Sequence, residues 1–155
     1  MTPLIPHSCR CVNPLHPLTV AMKKYTGKRT KTEDDHKIIS DLEWLSGLYY
    51  DEDFSNPDPT FLRDDMSLFI PADNIEATIR NGAKAFKKGE DIKKFVTVPQ
   101  LRIPLDIGEK KTIAELRRDY RYRDVRQMVV QRSRVTRTRP RFDRWSLRWR
   151  LFGNH

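Results

Sequence analysis

The sequence lacks the features that mark most nucleotide-hydrolysing, membrane-spanning and secreted proteins. It has no G-x-x-x-x-G-K-[ST] motif and therefore no phosphate loop of that type. No apolar run approaches the roughly 18 residues that cross a bilayer, and the N-terminus lacks the basic-then-apolar layout of a signal peptide. The two cysteines, Cys9 and Cys11, are too close in sequence to provide a disulfide framework. These absences predict a non-catalytic protein of a reducing, cytoplasmic compartment without a membrane partner.

Lysine is absent from a long C-terminal stretch. Between Arg117 and Arg150 there are thirteen arginines and no lysine. Residues 1–100 carry 14 Lys and Arg against 15 Asp and Glu, whereas residues 101–155 carry 16 against 6, so the net charge of +9 comes from the last third. Because solubility alone does not favour arginine over lysine, the composition indicates a need for a planar, bidentate cation.

A small group of metal-capable residues occurs near the N-terminus, in the pattern H-x-C-x-C-x4-H formed by His7, Cys9, Cys11 and His16. The spacing is not that of a standard zinc finger, and one short arm rarely closes a tetrahedral site. We therefore expect no metal and no other cofactor, with zinc binding as the alternative.

The length of 155 residues predicts one domain of the α+β class. We expect an antiparallel sheet packed by helices near residues 33–46 and 74–88, with a ferredoxin-like arrangement as one option. A proline-rich N-terminal arm covers residues 1–16, because proline removes backbone donors. An exposed acidic loop covers residues 51–65, where prolines interrupt a run of carboxylates.

Two pairs of residues predict where the main helices begin. Thr32 with Asp35 resembles a capping box and opens the first helix, which Gly47 ends. Asp73 with Glu76 predicts an N-cap and its reciprocal partner for the second helix. Each helix should therefore start at a locally encoded position.

The arginine-rich segment favours two β-strands. In RSRVTRTR, alternation places the side chains of residues 132 and 134 on one face and those of residues 137, 139 and 141 on the other. In RWSLRWRL, Trp145, Leu147, Trp149 and Leu151 form an apolar core face opposite a basic one. Pairing of these two strands around Pro140 would build a two-stranded basic surface.

Such a surface suits phosphate groups, because guanidinium forks match phosphate oxygens, stay charged and stack on bases. The expected phosphate contacts are Arg132, Arg134, Arg137, Arg139 and Arg141. Further candidates are Tyr120 and Tyr122 as stacking residues and Lys84, Lys87 and Lys88 as an extension of the basic track. Two alternatives remain open: another acidic partner, or solvating arginines that protect strand edges and pair with the acidic loop near residues 51–53.

Four stretches carry a resemblance to a known group of proteins: PLIPHSCRCVNPLHPL, GKRTKTEDDH, SLFIPADNIEATIRNGAK and RVTRTRPRFDRW. Together they resemble an uncharacterised family of small tailed-bacteriophage proteins. The resemblance implies a phage origin and a place in the cytoplasm of the host cell, and it implies little about activity.

A more distant resemblance is to the RAMP superfamily, the ferredoxin-like RNA-binding proteins that form the guide-RNA backbone of CRISPR effector complexes. FIPADNIEATIR is similar to the strand, proline and helix of those proteins, with Arg80 toward the middle of the helix. This resemblance implies RNA as the ligand.

The sequence therefore predicts a non-catalytic protein that binds RNA or single-stranded DNA through an arginine-rich β-surface. One alternative is a phage protein that docks on a host nucleoprotein complex, such as an anti-CRISPR inhibitor or subunit mimic. Another is a minor virion or assembly component. Self-association into a homo-oligomer stays open in each case.

Overall fold

The computed structural model describes residues 16–51, 58, 60–130 and 132–153. Most of the N-terminal arm, including His7, Cys9 and Cys11, and part of the acidic loop lie outside the described residues. The described residues form helices and antiparallel strands, so the predicted α+β class is confirmed. In chain order the elements are α1 (Pro17–Thr26), α2 (Glu33–Ser46), β1 (Phe69–Pro71), α3 (Ala72–Lys84), α4 (Gly89–Phe95), β2 (Val96–Thr97), β3 (Arg102–Asp106), α5 (Ile113–Arg118), a 3-10 helix (Tyr120–Tyr122), β4 (Arg123–Val130), β5 (Ser133–Pro140), β6 (Ser146–Leu147) and β7 (Phe152–Gly153).

The chain packs as two compact units, and the single domain expected from its length stays a prediction. The first comprises the described parts of Met1–Met66 and Lys110–Asp143, and the second comprises Ser67–Glu109 with the described part of Arg144–His155. The arginine-rich stretch is thereby divided, because the first unit ends at Asp143.

Helix α2 is the central element of the first unit. Its capping box is present as predicted: Asp35 N donates to Thr32 Oγ1 at 3.2 Å, and Thr32 N donates to Asp35 Oδ2 at 3.0 Å. Leu45 and Trp44 are completely buried, and Trp44 Nε1 donates to the carbonyl oxygen of Tyr122 at 2.8 Å. The helix thus joins the core of the unit to the base of the hairpin that follows Tyr122.

Strands β4 and β5 form an antiparallel hairpin of eight residues on each side. The register runs from the pair Arg123↔Pro140 at the base to the pair Val130↔Ser133 at the tip. Near the base β5 packs on α2, where the hydroxyl groups of Ser40 and Thr138 are 2.7 Å apart. The base of the hairpin is therefore the part that packs against α2.

The predicted partner of β5 is wrong. β5 pairs with β4, whereas the segment that follows Pro140 contributes β6, which pairs with β3 in the second unit. Proline at position 140 has no backbone donor, and the chain leaves the ladder after it. The two strands of the predicted basic surface consequently belong to different sheets.

The apolar core face predicted for residues 145–151 is confirmed for Leu147, which packs on the core of the second unit, and is wrong for Trp149 and Leu151. Only Ser146–Leu147 is extended and paired in this segment, so the alternation does not continue beyond Leu147. Trp149 is 40% exposed and Leu151 is 50% exposed. The fully buried tryptophan of the chain is Trp44 instead.

The second unit contains a three-stranded antiparallel sheet in the order β1-β3-β6 and a two-stranded sheet of β2 and β7. Its core includes a cluster of Ala72, Val98 and Ile103, with Ile75 and Leu147 packed against them. Helix α3 supplies Ala72 and Ile75 to this core.

The predicted cap of α3 is wrong in detail. The helix begins at Ala72, and its N-cap is Pro71, without a side-chain capping bond. Glu76 accepts a hydrogen bond from the backbone N–H of Val98 at 2.8 Å, so a partner distant in sequence takes the carboxylate that the local pattern assigned to the cap. The helix ends at Lys84 rather than near residue 88, and Gly89 begins α4.

Candidate nucleic-acid interface

One face of the hairpin brings three arginines together. Arg126 on β4 lies directly opposite Arg137 on β5. The next pair on the same face, toward the base of the hairpin, is Asp124 opposite Arg139. These residues line a shallow cavity of about 130 Å³, to which Met128 also contributes. The prediction that Arg137 and Arg139 share a face is confirmed. Arg126 lies on the same face, although it was not among the predicted phosphate contacts.

The tip and the opposite face carry two further arginines. Arg132 lies in the turn with a φ of 68°, so it is not part of the strand in which it was predicted. Arg134 is on β5, two positions from Thr136 and on the same face. Both arginines are exposed.

Two of the five predicted phosphate contacts are held by the protein's own carboxylates. Arg137 Nη1 donates to Glu43 Oε1 of α2 at 2.5 Å, and Glu43 is 8% exposed. Arg141 lies beyond the end of β5, where its Nε donates to Asp143 Oδ1 at 2.8 Å. The charges of Arg137 and Arg141 are therefore partly neutralised within the molecule.

The other three predicted contacts have no carboxylate partner among the described residues. These are Arg132, Arg134 and Arg139. Arg139 makes one weak contact, from Nη2 to the thioether sulfur of Met128 at 3.8 Å. Arg126 is different, because its Nε lies 2.8 Å from Asp124 Oδ2. Within the described structure, the uncompensated positive charge of the hairpin is thus concentrated at the tip and at Arg139.

The two tyrosines have different environments. Tyr120 is 81% exposed, and the guanidinium of Arg123 lies 5.6 Å from its ring centre. Tyr122 is only 8% exposed, and its ring packs against Phe142 with centroids 5.9 Å apart. Tyr122 therefore cannot offer a face to a base, and the stacking role predicted for it is wrong.

The three lysine candidates belong to the second unit. Lys84 is the last residue of α3, Lys87 follows with a φ of 59°, and Lys88 lies 3.2 Å from Asp91. All three are exposed. They form a basic surface at the C-terminal end of α3.

Asp41 of α2 anchors the base of the hairpin to α5, a feature that was not predicted from the sequence. Arg117 donates to Asp41 Oδ2 from Nε at 2.9 Å and from Nη2 at 2.5 Å, and Arg123 donates to Asp41 Oδ1. Burial alone would raise the pKa of Asp41, but the hydrogen bonds and charges of Arg117 and Arg123 outweigh it and hold the pKa below its ordinary value. The only signal in the sequence is an acidic residue beside the buried Leu42.

Arg123 is a structural residue of the same anchor. Its guanidinium lies 5.9 Å from the ring centre of Trp44 and 5.6 Å from that of Tyr120, and Nη2 donates to the carbonyl oxygen of Arg117 at 2.7 Å. Its Nε is buried without a hydrogen-bond partner in the described structure. The hairpin base is therefore fixed by interactions that leave Arg123 little freedom to meet a ligand.

Groups of three or more His, Cys, Asp or Glu side chains placed to hold a metal ion do not occur among the described residues. In the same part of the chain, every helix is too short or too polar to cross a membrane. The chain matches no known protein family, no curated protein and no solved structure. The geometry of the hairpin is therefore the main indication of function.

Proposed function

We propose that the protein binds RNA or single-stranded DNA, without catalysis, through the hairpin formed by β4 and β5. The observation that carries the proposal is a set of exposed or half-exposed arginines without carboxylate partners in the described structure: Arg132, Arg134 and Arg139. A guanidinium that lacks an internal partner presents its full set of donors to phosphate oxygens and its plane to bases. Tyr120, at the base of the hairpin, adds an exposed ring for stacking.

The backbone at the hairpin tip supports the proposal. Arg132 has a φ in the left-handed region, which glycine or asparagine adopts at lower cost. Arginine at this position is therefore a poor choice for folding alone, and its charge offers a reason for its presence. The tip is also the part of the hairpin farthest from the anchors at Asp41 and Glu43.

The ferredoxin-like arrangement implied by the RAMP resemblance stays a prediction. Among the described residues the largest sheet has three strands, in the order β1-β3-β6. The proposal of RNA as a ligand is therefore supported by the arginines of the hairpin and is independent of that fold.

The test is a fluorescence-anisotropy titration of labelled single-stranded RNA, single-stranded DNA and duplex DNA at two salt concentrations. The triple variant Arg132→Ser, Arg134→Ser, Arg139→Ser should weaken binding of single strands at least about tenfold at low salt. It should also reduce the slope of log K against log salt by roughly 0.7 for each phosphate that is no longer neutralised. The matched control is Arg144→Ser, Arg148→Ser, Arg150→Ser, which removes the same charge from exposed positions in the second unit.

The control triple should retain most of the affinity. Equal losses in the two triple variants would show that total charge, and not the hairpin, determines binding, and the proposal would be wrong. Binding to a host protein that survives nuclease treatment, with no affinity for oligonucleotides, would instead support the alternative of a protein that docks on a host nucleoprotein complex.

A further inference from the structure

Within the described structure, the outer edge of β4 is open. β4 is hydrogen-bonded to β5 on one side, and no described residue outside the hairpin is hydrogen-bonded to the backbone of residues 124–130. Its exposed side chains include Val125, Met128 and Val129, which are 53%, 40% and 71% exposed. β4 contains neither lysine nor proline, and the charged residues Asp124 and Arg126 lie on the face opposite Val125 and Val129.

The edge of β5, by contrast, is blocked near its base. The backbone N–H of Thr138 donates to Glu43 Oε2 at 2.8 Å, and Pro140 has no N–H at all. Residues whose N–H points away from the partner strand form the non-hydrogen-bonded pairs of an antiparallel ladder. The pair Val125↔Thr138 is therefore of this type.

The type of each pair determines which backbone groups on β4 point outward. Because the two kinds of pair alternate, the outward N–H and C=O groups of the free edge belong to Val125, Gln127 and Val129. The side chains of the same three residues share one face of the hairpin, since they are two positions apart.

We propose that this edge pairs with the same edge of a second copy of the chain, in an antiparallel register centred on Gln127. Val125 then pairs with Val129 of the second copy, Gln127 with its own counterpart, and Val129 with Val125 of the second copy. In each of these pairs both residues direct their backbone groups outward, so the strand ladder closes without a mismatch. The result is a four-stranded sheet across a two-fold axis.

The side chains distinguish this register from its neighbours. It places apolar valines opposite one another on one face and Arg126 opposite Met128 of the second copy on the other face, so no like charges are directly opposed. A register centred on Arg126 would oppose that residue to its own counterpart. A register centred on Met128 would leave Val125 without a partner and shorten the ladder.

A second copy also explains the valines better than a nucleic-acid ligand does, because β-branched apolar side chains stabilise cross-strand pairs and contribute little to phosphate binding. A two-fold axis perpendicular to the sheet keeps equivalent faces on the same side. The arginine faces that hold Arg126, Arg137 and Arg139 would therefore adjoin across the dimer. Dimer formation itself does not depend on nucleic acid.

The first test is disulfide cross-linking in a Cys9→Ser, Cys11→Ser background. Residues opposite each other in a hydrogen-bonded pair have Cα atoms about 5.5 Å apart, which a disulfide can bridge. Gln127→Cys should therefore form a covalent dimer under mild oxidation. Val129→Cys alone should not, since its two copies would lie about 13 Å apart along the strands. A mixture of Val125→Cys and Val129→Cys proteins should cross-link to each other.

The second test is sedimentation equilibrium of nuclease-treated protein over a series of concentrations. Wild type should show a monomer–dimer equilibrium, and Gln127→Lys should raise its dissociation constant at least about tenfold by opposing two ammonium groups at the axis. Thr136→Lys is the matched control, because it adds the same charge to the facing position of β5, away from the free edge.

Wild-type protein that is monomeric at all concentrations, or cross-linking of Val129→Cys alone as efficient as that of Gln127→Cys, would overturn the dimer. Circular dichroism should show that Gln127→Lys and Thr136→Lys are folded. Dimerisation without oligonucleotide binding would support this inference and contradict the proposed function, and a monomer that binds oligonucleotides would do the reverse.

Discussion

Glu43 of α2 holds β5 through both of its carboxylate oxygens: Oε1 accepts from the guanidinium of Arg137, and Oε2 accepts from the backbone N–H of Thr138 at 2.8 Å. Glu43 is 8% exposed. A single buried side chain therefore positions the hairpin on the helix and lowers the charge available at Arg137. Both roles can be separated by mutation.

Glu43→Ala should lower the free energy of unfolding by about 2–3 kcal/mol, because it leaves the Thr138 donor and the Arg137 charge without their acceptor. Glu43→Gln should cost less, since its amide oxygen can still accept from Thr138. Urea denaturation measures both effects, with Glu33→Gln as an exposed control that should change stability by no more than about 0.5 kcal/mol. A Glu43→Ala protein as stable as wild type would show that α2 does not anchor the hairpin.

Asp41 predicts an acid-sensitive anchor. Its pKa is below the ordinary value of 3.8 in the folded protein, so the carboxylate stabilises the fold above that pH, and the contribution is lost as the pH falls through the depressed pKa. Asp41→Asn should reduce stability at pH 7 by about 1–3 kcal/mol, because a neutral amide cannot replace the charged hydrogen bonds to both Arg117 and Arg123.

The gap between wild type and Asp41→Asn should narrow as the pH falls below the ordinary value of 3.8, because the unfolded chain then binds a proton at Asp41, and it should close once the pH falls below the depressed pKa of the folded protein. Thermal unfolding at a series of pH values measures this gap. A difference that stays constant down to the acid transition would exclude Asp41 as the titrating group.

Substitution of Gly47, at the end of α2, by alanine should destabilise the protein, although the same change in a helix usually stabilises it. A Cβ at this position would lie 2.5 Å from Cδ of Pro140, although the backbone φ of −81° is compatible with alanine. Gly47→Ala should therefore destabilise the protein by about 1–3 kcal/mol through overpacking. Gly82→Ala is the contrast, because a Cβ there meets open space inside α3, and the change should stabilise by about 0.5–1 kcal/mol. Melting temperatures that move in the same direction for both variants would contradict this packing of Pro140 on α2.

Substitution of Trp44 and of Trp149 by alanine should lower the stability of the protein by very different amounts. Trp44→Ala should cost about 3–5 kcal/mol or prevent folding, because it removes a completely buried indole and the hydrogen bond to Tyr122. Trp149→Ala should cost much less, since that side chain is 40% exposed. Trp44→Phe keeps most of the packing and tests the hydrogen bond separately. Chemical denaturation measures all three variants, and equal losses of stability for Trp44→Ala and Trp149→Ala would be incompatible with the difference in burial.

Part of the candidate site could be predicted from the sequence. The arginine-rich segment from residue 133 is a strand, and the shared face of Arg137 and Arg139 follows from its alternation. The engagement of Arg137 by Glu43 and the burial of Tyr122 could not be predicted, because these contacts join residues far apart in the chain. The charge pattern therefore indicated the surface but overstated how many of its cations are available.

The sequence by itself determined the helix start at Thr32 and the division of charge along the chain. The helix start is determined locally, because a capping box is formed by residues three positions apart. The distribution of charge is a property of the sequence and does not depend on the fold. Only the tertiary structure decided which strand pairs with β5, which tryptophan is buried and which arginines are held by carboxylates. Strand pairing and carboxylate–guanidinium contacts depend on segments that meet only after folding, and no local pattern distinguishes β4 from β6 as the partner of β5.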